Sequence, residues 1–187
     1  MTTITIKGTD YQLRNKGSEV TLNELSKISL ILENTTNDYI GKWLQVFEIL
    51  GCKAMIEDMT AKQFTDAVKE VNITDVKQEI VEEIEVNNRV YACSVTDGVL
   101  DVSARDLSKI EKLASKGSAW GHKAFAVVYK DVNLTNNEHY DDEHIDYKAK
   151  LFGEGVNADV AAPVIFQLSK AIVENVQALM DAQSTSV

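Results

Sequence analysis

Hydrophobic positions along this chain change period several times, and each change predicts an element. From Ile4 to Tyr11, and again from Ile84 to Tyr91, apolar and polar residues alternate at period two. Each stretch carries a turn-prone pair at its middle, Lys7-Gly8 or Asn87-Asn88. Alternation turns one strand face inward and the other outward, and such pairs supply the positive φ angles of a tight reversal. Two β-hairpins are therefore expected, with return arms near Tyr11–Arg14 and Val90–Val95. A glycine-containing turn should follow each arm, at Gly17 and Gly98.

Beyond each hairpin the period lengthens to that of a helix. Glu19–Ile28 aligns with Asp101–Ile110, and the two share the run Leu-Ser-Lys-Ile. Thr21 and Glu24 have capping-box spacing; Ser103 and Asp106 repeat it with a shorter acid. Leu22, Leu25, Ile28 and Leu32 then fall on one helical face, as do Leu107, Ile110 and Leu113 on the counterpart. Second helices are expected over Asn37–Leu50 and Ser118–Tyr129. The first should turn Tyr39, Ile40, Trp43, Leu44, Phe47 and Leu50 inward, and the second Trp120, Ala124, Val127 and Val128. A third pair is expected over Thr60–Val71 and Asp142–Phe152, with Thr60 and Asp142 at the caps. Phe64, Val68 and Val71 there parallel Ile145, Ala149 and Phe152.

Repetition of hairpin, capped helix and two further helices in one order points to duplication. The expected fold is α+β and mostly helical, with two related hairpin-plus-helices units at 1–76 and 77–187, packed separately or as one compact domain. The charged stretch Asn72–Glu85 is the natural join. Only the second unit continues into a long C-terminal helix, near Ala158–Ala182. Asn157 or Asp159 would cap it, and Pro163 falls in or near its first turn, where a missing N–H is tolerated. Its apolar stripe includes Val164, Leu168, Ile172, Val176 and Leu179, and these five are the candidate partner-binding residues. Packing within the chain is the competing use of the same stripe.

Composition narrows the possible functions. The formal charge is −10 with an isoelectric point near 4.8, and 44% of residues are hydrophobic. That is ample for a packed core and argues against binding nucleic acid, which needs clustered Lys and Arg. It suits a protein partner met through complementary charge. The start MTTITIKGTDYQL has no apolar signal-type core, and no run reaches the length of a membrane helix. Cys52 and Cys93 are the two cysteines. Their apolar settings suit reduced core thiols, so a cytoplasmic protein is expected.

Candidate chemistry is sparse. The run Glu138-His-Tyr-Asp-Asp-Glu-His144 places two imidazoles among carboxylates, but not at the spacing of one helical turn. A solvated acidic loop leading into a helix explains it, with Asp141 and Asp142 favouring the positive helix end. Gly117-Ser-Ala-Trp-Gly-His122 lacks the preceding glycine and strand of a nucleophile elbow. It reads as a helix connection with Ser118 as cap. Neither phosphate-binding glycine motif is present. No catalytic, cofactor-binding or metal-binding residue is assigned, and no enzymatic activity is expected.

Several stretches together resemble a group of small proteins encoded with the tails and baseplates of large tailed bacteriophages, the tail-assembly chaperones and baseplate-assembly proteins. They are Val20-Thr-Leu-Asn-Glu-Leu-Ser-Lys-Ile28, Met59-Thr-Ala-Lys-Gln-Phe-Thr-Asp-Ala-Val68, Val128-Tyr-Lys-Asp131, Glu138–Phe152 and Ala158-Asp-Val-Ala-Ala-Pro163. The resemblance is scattered over most of the chain and includes no site motif. It implies a non-enzymatic role in the host cytoplasm during infection: holding a tail or baseplate component and handing it on. A permanent virion subunit, or a phage-encoded binder or inhibitor of a host protein, fits the same features.

Overall fold

The computed structural model describes residues 1–36, 38–56, 58–73, 79–115, 120–134 and 138–184, the side chains at 54, 138, 175, 178–180 and 182–184 excepted. The fold is α+β and mostly helical. The chain divides into two compact units: Met1–Val76 with Gly153–Val160, and Lys77–Phe152 with Ala161–Val187. The stretch 153–160, grouped from the sequence with the second unit, thus belongs with the first.

The first unit opens with the antiparallel hairpin β1 (Thr2–Ile6) and β2 (Thr9–Leu13), paired from Thr2↔Leu13 to Ile6↔Thr9. Lys7 and Gly8 form its reversal with φ of 50° and 82°, the geometry whose twist matches the flanking strands. A 3-10 turn at Gly17–Glu19 leads to α1 (Leu22–Glu33), whose capping box is in place. The Thr21 hydroxyl accepts from Glu24 N at 3.3 Å, and the Glu24 carboxylate accepts from Thr21 N at 3.0 Å.

Asp38 caps α2 (Tyr39–Ile49), the short α3 (Lys53–Ile56) follows, and Thr60 caps α4 (Ala61–Glu70) with Gln63 completing a second box. Ile6, Leu13, Leu22, Ile28, Phe47, Leu50 and Met55 are fully buried and form the core. The segment 153–160 lines the start of α1: Leu22 N donates to Val156 O at 2.8 Å and Ala158 N to Val20 O at 2.7 Å.

The second unit repeats the order and adds to it. Its hairpin is β3 (Glu83–Val86) and β4 (Arg89–Ala92), with Asn87 and Asn88 at φ of 52° and 59°. A second small hairpin, β5 (Val95–Thr96) and β6 (Val99–Leu100), turns on Asp97-Gly98. Ser103 and Asp106 cap α5 (Ala104–Ala114), which packs on α6 (Trp120–Val128). The chain then returns as β7 (Lys130–Asp131) beside β4, giving the sheet order β3-β4-β7.

A 3-10 turn at Glu138–Tyr140 precedes α7 (Asp142–Gly155), and α8 (Ala158–Ser184) ends the chain. Aromatic rings fill this core: Phe152 meets Tyr91 and Phe125 edge-on, with centroids 4.8 and 5.5 Å apart, and Phe125 stacks on Tyr129 at 4.3 Å.

Several expectations need correction. Leu32 ends α1 on its exposed side, and Tyr39, Ile40 and Leu44 of α2 also face outward. Periodicity marks a helix's apolar face; it does not say how far along the helix that face is covered. The turn expected at Gly17 is present, as the 3-10 turn Gly17–Glu19, and the Gly17 backbone is not left-handed. The residue is small because Asp159 lies against it: a Cβ there would come within 3.0 Å of the Asp159 backbone nitrogen.

Asp141, rather than Asp142, caps α7, since its carboxylate accepts from His144 N at 3.1 Å. Pro163 lies in the second turn of α8, so its missing N–H leaves the Asp159 carbonyl without its helical donor. The expected cap at Ser118 lies outside the described residues. No helix among the described residues is long and apolar enough to cross a membrane.

Candidate functional site

The five candidate partner-binding positions of α8 do not form one surface. Val164 and Leu168 are fully buried, Ile172 is half-buried, and Val176 is 48% exposed. The Leu179 side chain lies outside the described residues. The two buried positions are core, which removes them as surface contacts. Helix α8 is tied down along its first half, where Gln167 accepts from Leu100 N at 2.8 Å and donates to Gly98 O at 3.3 Å. Ala161, Pro163, Val164 and Leu168 are buried there, and every described side chain from Val173 onward is exposed.

The outward apolar stripe is Phe166, Val173 and Val176, with Phe166 70% and Val173 67% exposed. Spacings of seven and three residues put all three on one helical face. Phe166 and Val173 lie off the stripe that serves the core, the one that apolar periodicity picks out. The signal for them is that same spacing on the opposite side.

The first unit carries its own outward apolar face. On α2, Tyr39 and Ile40 are exposed, Leu44 is at the margin, and Trp43 is half-buried. Rings run inward from this face as a ladder: Tyr39 to Trp43 at 6.4 Å, Trp43 to Phe47 at 6.0 Å, Phe47 to Phe64 at 5.8 Å. Only Phe47 of this ladder is buried; an exposed ring held by such neighbours loses little side-chain entropy on binding.

The acids Asp141, Asp142 and Glu143 are exposed at the start of α7 as expected, but the two imidazoles of the run turn inward. His139 is buried, and its Nδ1, like His144 Nε2, has no hydrogen-bond partner among the described residues. Burial depresses the proton affinity of both imidazoles, and the neighbouring Lys148 ammonium adds to it. Lys148 sits on the core face of α7 with Ile145, Ala149 and Phe152, fully buried, donating to Tyr129 O at 2.9 Å. Its burial lowers the amine to about 8.

Beside it Asp106 is nearly inaccessible. Burial alone would raise its carboxyl, but bonds from Ser103 (2.7 Å), Tyr140 (2.7 Å) and Lys130 (3.0 Å) outweigh that and hold it low. Arg105 stacks on the Tyr140 ring at 3.8 Å and closes the cluster.

Perturbed groups gathered in this way can mark a catalytic site. Here Asp106 and Lys148 are shut off from solvent, Asp106 bonded to Ser103, Lys130 and Tyr140 and Lys148 to the Tyr129 carbonyl, which suits a polar core network. No group of three His, Cys, Asp or Glu side chains among the described residues could hold a metal ion. Comparison of the chain with protein-family models, with curated proteins and with solved structures finds no match. The outward face of α8 is therefore the surface on which a functional reading rests.

Proposed function

We propose that this chain is a non-enzymatic bacteriophage tail or baseplate assembly protein that works by binding other virion proteins, in the host cytoplasm during infection. One observation carries the reading: α8 presents Phe166, Val173 and Val176 outward, and every described side chain from Val173 onward is exposed. Singly exposed apolar residues are ordinary on a surface, but an aligned stripe on a terminal helix is a means of docking into a partner's groove. The phage setting is supplied by the sequence resemblance. A net charge of −10 keeps such a protein dissolved while an apolar stripe is open.

Affinity capture of the tagged chain from infected cells tests this. Tail or baseplate proteins are expected to co-purify, and to be lost with Phe166→Glu. Recovery of none with the unaltered chain overturns the reading. Mass spectrometry of purified particles then separates the two roles: a chaperone is absent from the virion, and a subunit is present in fixed copy number.

A further inference from the structure

We propose that His139, His144 and Lys148 form an acid-sensitive catch, which holds the turn Glu138–Tyr140 and the start of α7 onto the second unit at neutral pH and releases them in mild acid. Three basic side chains are gathered in one buried place. His144 and Lys148 are four residues apart on α7 and so share one face of it, and His139 joins them from the 3-10 turn just before. Lys148 is 0% and His139 4% exposed. Each imidazole keeps a buried nitrogen, Nδ1 of His139 and Nε2 of His144, without a hydrogen-bond partner among the described residues. Both nitrogens of an imidazolium carry a proton, so a charged ring here would bury an N–H with no acceptor, beside the Lys148 ammonium.

The nearby acids are already engaged. From α5, Asp106 accepts from Ser103, Tyr140 and Lys130. From β7, Asp131 accepts from Asn133 N at 2.9 Å and from Arg89 of β4 at 3.4 Å. Asp141 accepts from His144 N as the cap of α7. Asp131 and Asp141 still favour a charged His144, and a bond with the Leu134 backbone favours a charged His139. Burial and Lys148 outweigh them at both rings, with Lys130 adding to the opposition at His139 and Arg89 at His144. Protonation of His144 also opposes that of His139.

The folded state therefore binds these protons less tightly than an opened one. The hold on this end is complete above the ordinary histidine value of 6.5 and is lost as pH falls below it. Each imidazole contributes at most about 30-fold to the opening equilibrium by pH 5. Lys148 stays charged and Asp106 stays ionised across that window, so neither titrates in it. All of these groups belong to the second unit, and none depends on α8 as a docking element.

Hydrogen exchange of the full chain, read as protection factors from pH 7 to pH 5, tests the catch. The Ile145 amide, bonded to Asp141 O at 2.9 Å, reports release; the Leu25 amide, bonded to Thr21 O in the first unit, is the control. Protection at Ile145 should fall about 10-fold or more over that range, and protection at Leu25 should hold. In Lys148→Met the rings face one charge fewer. Their NMR titrations should move to higher pH, and the fall at Ile145 should shrink by about threefold or more. His139→Gln combined with His144→Gln should abolish the fall; should that variant not fold, the Lys148→Met comparison decides alone. Three results overturn the proposal. One is protection at Ile145 that stays flat, and another is imidazoles that titrate no higher in Lys148→Met. The third is an unchanged fall in the double glutamine variant, which would place the titrating group elsewhere, such as His122 of α6, also held low by burial.

Discussion

Arg14 holds Glu24 through two parallel hydrogen bonds, Nη1 to Oε2 at 3.1 Å and Nη2 to Oε1 at 2.9 Å. The same guanidinium donates to the carbonyls of Ile49 and Leu50 at the end of α2. One planar cation thus joins the acid that caps α1 to the negative end of α2, a task that needs the fork of arginine. Both side chains are about a quarter exposed, so solvent weakens the pair below a fully buried one. Arg14→Lys should cost about 1–2 kcal/mol and Arg14→Met about 2–4 kcal/mol in urea unfolding. A lysine variant as stable as the parent would show that the fork contributes nothing.

Asp106 holds the equivalent place in the second unit but takes its cation from elsewhere, from Lys130 of β7 rather than from the hairpin. Asp106→Asn keeps the cap and removes the charge, leaving the half-buried Lys130 unpaired. A loss of about 2–3 kcal/mol at pH 7 is expected, and Lys130→Met on the Asp106→Asn background should recover part of it. The carboxyl is lowered in the folded state, so its contribution is present above the ordinary carboxylate range and is lost as pH falls through the lowered value. The gap between the parent and Asp106→Asn should therefore close below about pH 4.

Local features of this fold were legible from sequence, and features set by distant packing were not. Lys7-Gly8 and Asn87-Asn88 announce their reversals because left-handed φ angles restrict which residues serve there. Thr21-Glu24 and Ser103-Asp106 announce helix starts because a cap bonds only within one turn. The β5–β6 hairpin is not legible beyond its Gly98 turn, because two-residue strands are too short to show alternation. Lys148 gives no sequence signal of its burial, because a lysine on an apolar face has the same polar pattern whether buried or exposed. The candidate surface was half legible: α8 was the right element, but Val164 and Leu168 face inward. Which side of an amphipathic helix is left open depends on what else packs there, and periodicity does not carry that information.

Gly17 should be intolerant of a side chain although its backbone is ordinary. Asp159 presents both its Cβ and its backbone nitrogen 3.0 Å from where a Cβ would stand, so the backbone of 153–160 must move. Gly17→Ala should cost about 1–3 kcal/mol, the usual range for overpacking. Gly153 offers a contrast within the same unit. A Cβ there meets the Asn23 carboxamide, the movable end of a side chain. Gly153→Ala should therefore be relieved by Asn23→Ala, whereas no single side-chain truncation rescues Gly17→Ala. Thermal unfolding of the four variants separates the two mechanisms.

Charge at Lys148 costs this protein stability. Its ammonium is fully buried with one hydrogen bond to Tyr129 O, faced by Lys130, Asp131 and Asp106 and close to His139 and His144. An amine lowered from 10.5 to about 8 means the folded state binds its proton less tightly than the unfolded chain. At pH 7 both states are charged, and the penalty is on the order of 3 kcal/mol. Lys148→Met keeps the buried stem and removes the charge, at about 1 kcal/mol for the orphaned carbonyl. The variant should be roughly 2 kcal/mol more stable than the parent at pH 7.

As pH rises from 8 to 10.5 the unfolded chain holds the proton and the folded parent does not, so the parent gains stability and the advantage shrinks. Cys93, Tyr91 and Tyr129, all raised by burial, titrate in the same range with the opposite sign. They are common to both proteins, so the difference between the two urea-unfolding profiles isolates Lys148. A difference that stays flat from pH 7 to 10.5 would show that the amine is not buried as described.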